Sequence, residues 1–215
     1  MTTTATCSLL RLDQPGVRKR LSAAPVGEYG LLEVAFAWHE HHTRSPKPPT
    51  GRREPILTTE LEGAAERIVR LLSTVTWATA TPIDPAARRP PWIAEQVDVP
   101  VQSFHRTTRL LRAEWRTRRR FLTRPATPRA ASRAAIALFR MATLLGGFDR
   151  PTGGLTVNTG TVEGADTLIE AATLLGIAAE RVDRHAGATI VLAESDKVSG
   201  LLAASGWSPE LAQCG

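Results

Sequence analysis

The chain has 215 residues, 42% of them hydrophobic, enough for one large domain or two small ones with a real core. No apolar run approaches the ~20 residues of a membrane span. The opening MTTTATCSLLRLDQPG lacks the basic start and long apolar run of a secretory signal, so a cytoplasmic protein is expected. The formal charge of +6 rests on arginine, since Lys19, Lys47 and Lys197 are the only lysines. Ten arginines lie between Arg106 and Arg133, with Glu114 the only acid among them. A GC-rich composition explains part of the excess; its clustering points to phosphate or to an acidic partner. Cys7 and Cys214 sit at opposite ends, with neither metal spacing nor an expected disulfide.

In chain order, Pro15 to Leu21 predicts a short helix with proline in its first turn, stopped by Pro25. Glu28 to His41 is apolar on most faces, the pattern of a helix buried all round. Ser45 to Arg53 is a proline-rich loop. Glu54 to Glu60 predicts a strand, and Leu61 to Leu72 an amphipathic helix with Leu61, Ala64, Ala65, Ile68, Leu71 and Leu72 on one stripe. Thr74 to Thr81 and Val97 to Gln102 alternate as strands around a proline-rich loop, with Pro100 demoting the second to an edge or a bulge. Phe104 to Phe121 is a strongly basic helix. After a linker, Ala131 to Leu145 is again a largely apolar helix, stopped by Gly146 and Gly147. Gly154 to Thr159 predicts a strand, Val162 to Leu175 a helix, and Ile177 to Arg184 with Ala188 to Ala193 a hairpin. The last helix runs from Ser195, its N-cap, to Ala204.

The order helix, strand, helix, strand, strand, helix thus occurs twice, and the sequence echoes it. LEGAAERI from Leu61 returns as VEGADTLI from Val162, and Ser103 to Trp115 shares its Ser, Leu and Trp with Ser195 to Trp207. The division expected is an arm over 1–26, a first unit over 27–121, a linker over 122–129, a second unit over 130–207 and a tail over 208–215. Because strands and helices do not alternate regularly, an α+β fold with antiparallel or mixed sheets covered by helices is expected.

Two buried helices, one per unit and each leading into a strand pair, resemble the LAGLIDADG fold. More specifically, the chain is similar to the N-terminal, LAGLIDADG-like part of the actinobacterial WhiA regulators. The residues that carry this are VRKRLSAAPV (from Val17), GLLEVAFAWH (from Gly30), ILTTELEGAAERIVRLL (from Ile56), LTVNTGTVEGADTLIEAATLLGIAAERV (from Leu155) and IVLAESDKVSGLLAASG (from Ile190). The resemblance implies two central helices packed on a pseudo-twofold axis and two saddle-shaped sheets facing DNA. It also implies a C-terminal helix-turn-helix as sequence reader, for which eight residues after Trp207 leave no room. LAGLIDADG nucleases hold divalent metal with an acid at each central-helix end. The alignment puts those positions near Phe36 and Leu145, neither acidic, with Glu33, Glu40 and Asp149 nearby. A non-catalytic, nucleoid-associated regulator or adaptor is therefore expected, binding DNA weakly through phosphates or binding a transcription-factor partner. A protein-interaction or oligomerisation module stays open, a homodimer included, and a homing-type nuclease is the minor alternative.

The candidate nucleic-acid residues are Arg112, Arg116, Arg118, Arg119 and Arg120 on the basic helix, with Arg181 and Arg184 in the second hairpin. The spacing of Arg112, Arg116, Arg119 and Arg120 makes a stripe, either a solvated face or a phosphate-contacting arm. Thr58, Thr76, Thr79, Asn158 and Thr159 are the saddle candidates. His39 and His42, three apart, form a weak metal pair that Glu40 could orient, but zinc sites bring three or four ligands. Histidines also suit a solvated helix end. No metal and no other cofactor is expected. Gly146-Gly147 and Gly153-Gly154 read as a helix stop and a turn, and His105 and His185 as surface residues.

Overall fold

Between Leu32 and Trp38 every residue is buried, so the second helix has no solvent face and must be enclosed. This follows from its composition, which offers hardly a polar side chain to water over two turns. The computed structural model describes residues 15–42, 52–59, 63–83, 94–146, 148–149, 154–185, 187–193 and 195–206. The helices are α1 (Pro15–Ala23), α2 (Gly30–His42), α3 (Ala64–Leu72), α4 (Val101–Thr123), α5 (Pro128–Gly146), α6 (Val162–Leu174) and α7 (Asp196–Ser205). The strands are β1 (Arg53–Thr59), β2 (Thr79–Pro82), β3 (Glu95–Pro100), β4 (Phe148–Asp149), β5 (Gly154–Thr159), β6 (Ala179–Arg184) and β7 (Gly187–Ala193). Glu60 to Glu62, Trp207, the tail and both cysteines lie outside the described residues.

The expected α+β fold is present, and so is its internal duplication. One sheet has the order β1-β3-β2, the other β4-β5-β7-β6, all antiparallel. Removing β4 leaves the same arrangement twice: the strand after the central helix pairs with the third strand, which pairs with the second. The central helices α2 and α5 pack on each other, and one continuous core joins both units through Phe36, Leu138, Phe139 and Met141.

The two glycines of the sequence echo are kept for different reasons. Gly63 precedes α3 with φ +81°, a left-handed conformation that side chains disfavour. Gly164 lies in the first turn of α6, where a Cβ would collide with the Glu40 carboxylate.

Several boundaries differ from expectation. The strand expected from Thr74 begins only at Thr79, because the Ser73 and Thr74 hydroxyls donate to the Arg70 and Leu71 carbonyls and prolong the end of α3. Pro100 closes β3 and sits at the N-cap position of α4, with φ −56° and ψ 137°. The basic helix is therefore longer than read, at 23 residues. Phe36 is not a helix end: α2 runs on to His42, and Phe36 is a core residue at mid-helix.

Candidate nucleic-acid interface

The geometry of α4 sorts its arginines. Thr107, Leu111, Trp115, Arg118 and Leu122 form its buried stripe, at spacings of three and four that repeat along one face. That stripe packs against α2, α5 and the β1-β3 side of the first sheet. Arg106, Arg109, Arg112, Arg116, Arg119 and Arg120 are exposed on the opposite face. Glu114, the acid of this run, lies off that ridge and is half-buried, and its burial raises the carboxyl pKa.

Arg118 is the correction among the expected contacts. Its guanidinium lies 3.9 Å from the Trp115 ring centroid, donates to the Thr167 hydroxyl at 3.1 Å and pairs with Glu163. It therefore fastens α4 to α6 rather than facing solvent. The sequence held the signal, because Arg118 falls three residues after Trp115 and four before Leu122, on the apolar stripe. Arg112 stays exposed with its guanidinium 5.8 Å from the Trp38 ring.

Arg181 is the second correction. It pairs in register with buried Ile190, so it lies on the helix-covered side of its sheet and forms ion pairs with Asp166 and Asp183. Arg184 pairs with Gly187 and takes the other face.

The faces turned away from the helices are polar and nearly balanced in charge. On the first sheet this face carries Arg53, Thr58, Thr79, Thr81, Gln96 and Asp98, where Thr81 and Gln96 both donate to the Asp98 carboxylate. On the second it carries Thr156, Asn158, Thr189, Glu180, Val182 and Arg184. Thr159 belongs to the covered side, its hydroxyl donating to the Ala188 carbonyl. Thr76 precedes β2 and meets the Ser103 hydroxyl at 2.8 Å. The basic ridge and the sheet faces are thus separate surfaces.

The central-helix ends are both occupied by structure. α5 ends at Gly146, where a Cβ would overlap the Asn158 carbonyl, so no side chain fits without a backbone shift. In the last turn of α2, the buried Glu40 carboxylate accepts from the Gly160 amide and from the Thr161 hydroxyl at 2.5 Å. It lies at the N-terminal end of α6, where the helix dipole favours an anion. His39 stacks on Trp115 with centroids 4.3 Å apart, and its Nε2 lies 3.3 Å from Glu163. The side chains of His42 and Asp149 lie outside the described residues. Among the described residues no group of three or more His, Cys, Asp or Glu could hold a metal ion.

A further buried cluster escaped sequence reading. Glu33 on α2 takes two hydrogen bonds from Arg67 on α3, at 2.6 and 2.8 Å, and one from Arg140 on α5 at 2.8 Å. Arg67 also donates to the Ala24 carbonyl, and Arg140 to the Ser205 and Ala204 carbonyls. Burial lowers the pKa of Arg140, and the Arg67 charge acts in the same direction against the pull of Glu33.

No described helix is long and apolar enough to cross a membrane. No protein-family model matches the chain, and no curated protein matches it. Solved structures do. Full-length DUF199/WhiA from Thermatoga maritima superposes with a TM-score of 0.57 at 12% identity, over 91% of this chain and 62% of that one. The chain therefore spans less than two thirds of the full-length WhiA. The homing endonuclease I-DmoI, solved with DNA and Mn, gives 0.50 at 11% identity over 79% of this chain and 93% of that one. The N-terminal LAGLIDADG domain of DUF199/WhiA gives 0.58 at 14% identity, over 95% of this chain and 96% of that one. The fold is that of a LAGLIDADG domain, and it fits the LAGLIDADG part of a WhiA-like protein.

Proposed function

We propose that the chain is a non-catalytic, DNA-associated regulator or adaptor that holds nucleic acid by its phosphates through the outer face of α4. The observation that carries this is the ridge of six exposed arginines, Arg106, Arg109, Arg112, Arg116, Arg119 and Arg120. Guanidinium groups match phosphate oxygens in geometry and charge. Contacts to phosphate carry no sequence information, so binding of this kind is sequence-independent. The occupied central-helix ends support the non-catalytic part, since Gly146 has no room for an acid and Glu40 holds α6.

The test is a mobility shift over a salt series. Affinity should fall with salt by a log–log slope of about −0.9 for each phosphate neutralised. Replacing Arg116, Arg119 and Arg120 together by alanine should remove up to ~3 such contacts and flatten the slope accordingly. Full binding by that variant sinks the assignment.

The balanced sheet faces favour a second reading, in which they serve a protein partner or a second copy of the chain. The described charges on these faces, Arg53 and Arg184 against Asp98 and Glu180, balance and so give phosphate no net attraction. A chain that is dimeric by light scattering and indifferent to DNA would support this reading over the first. Cleavage of plasmid DNA in magnesium or manganese would overturn the non-catalytic proposal.

A further inference from the structure

Trp77 is 77% exposed, whereas the other exposed large apolar side chains among the described residues range from 37% to 47%. Tryptophan is highly buried on average, so an indole standing in water asks for an occupant. Its backbone is held firmly. The Trp77 carbonyl accepts from Arg53 at 2.9 Å, the next residue, Ala78, is buried, and the preceding Thr76 hydroxyl meets Ser103. Ser103 lies in the first turn of α4, three residues before Arg106. Trp77 therefore directly follows a residue that touches the first turn of α4, one turn before the first arginine of the ridge.

We propose that Trp77 and the ridge form one track for single-stranded nucleic acid, with an unpaired base stacked on the indole and the following phosphates on the arginines. This rests on the phosphate-binding role of α4 and names its ligand more closely. A duplex hides its base faces, whereas a single strand presents π-faces and phosphates together, the combination that an aromatic platform beside a basic track recognises. From Arg106 to Arg120 the ridge covers about 21 Å of helix, enough for several nucleotides. Stacking is indifferent to base identity, so no sequence preference beyond base size follows.

The experiment is fluorescence anisotropy of labelled oligothymidylate and of a hairpin duplex of equal length. It compares the wild type, Trp77→Ala, Trp77→Phe and the Arg116, Arg119 and Arg120 triple alanine variant. Trp77→Ala should weaken oligothymidylate binding roughly 5- to 100-fold and leave duplex binding unchanged. Trp77→Phe should keep most of the affinity, and the arginine variant should weaken both ligands. Because Trp77 is exposed, the alanine variant should melt like the wild type. Equal single-strand affinity for wild type and Trp77→Ala, or an equal loss on both ligands, overturns the track. If duplex binding still depends on the arginines in that case, the phosphate-binding role of α4 stands alone. If the wild type binds neither ligand, both readings fall.

Discussion

Arg67 and Glu33 meet in a two-point ion pair with both side chains withdrawn from water, at 0% and 1% exposure. Charges so placed are stable only with their hydrogen bonds complete, and both are served here by further partners on α5 and in the α1–α2 connection. The pair ties α3 of the first unit to the central helix, and through Arg140 it reaches the second unit.

Removing one member leaves an uncompensated buried charge. Arg67→Ala should cost about 3–5 kcal/mol in urea unfolding. Replacing Arg67 by Met together with Glu33 by Leu should recover part of that loss. A single variant as stable as the wild type contradicts the network.

Gly146→Ala places a methyl group against the Asn158 carbonyl and should destabilise by about 1–3 kcal/mol. The same reasoning makes Gly146→Asp a poor route to restoring a nuclease acid. Its variant should melt well below the wild type and remain inactive with divalent metal. Cleavage by that variant would show that the α5 end has more room than its backbone packing allows.

Arg116 and Arg118 are two residues apart and face opposite ways. Arg116→Ala should leave the melting temperature unchanged and reduce the salt slope of DNA binding by about 0.9. Arg118→Ala removes the Glu163 ion pair and the packing on Trp115, so it should lower stability by about 1–3 kcal/mol. Thermal melts beside salt-dependent binding separate the two.

Glu114 gives a pH dependence of known sign. Burial raises its pKa above the usual 4.5, so folding favours its protonated form. The contribution it makes to stability is fully present below the unfolded pKa and lost as pH rises through the folded one. Glu114→Gln should therefore raise Tm at neutral pH, an advantage that vanishes in acid. It should also strengthen DNA binding by removing a negative charge from the basic helix. A stability gain that persists unchanged at low pH would contradict the burial effect.

Local patterns made much of the molecule legible in the sequence. The helix–strand order of both units, the buried character of Leu32 to Trp38 and the arginine stripe over Arg112, Arg116, Arg119 and Arg120 follow from periodicity and apolar spacing. Helix periods and side-chain polarity act over a few residues, so one dimension suffices to read them. The Arg118 reversal also lay in the sequence, in its place on the Leu111–Trp115–Leu122 stripe.

Other features are decided only by folding. Glu33, Arg67 and Arg140 are 34 and 73 residues apart along the chain, and nothing local to any of them announces the others. Arg181 changes sides through register, since one residue of shift in a strand exchanges its faces. Gly146 and Gly164 look like ordinary helix glycines until the Asn158 backbone and the Glu40 carboxylate are brought against them. The duplicated plan and the concentration of positive charge are thus written into local patterns. Which arginines reach solvent, and what the central-helix ends hold, emerges on folding, because burial and charge pairing depend on distant segments meeting in space.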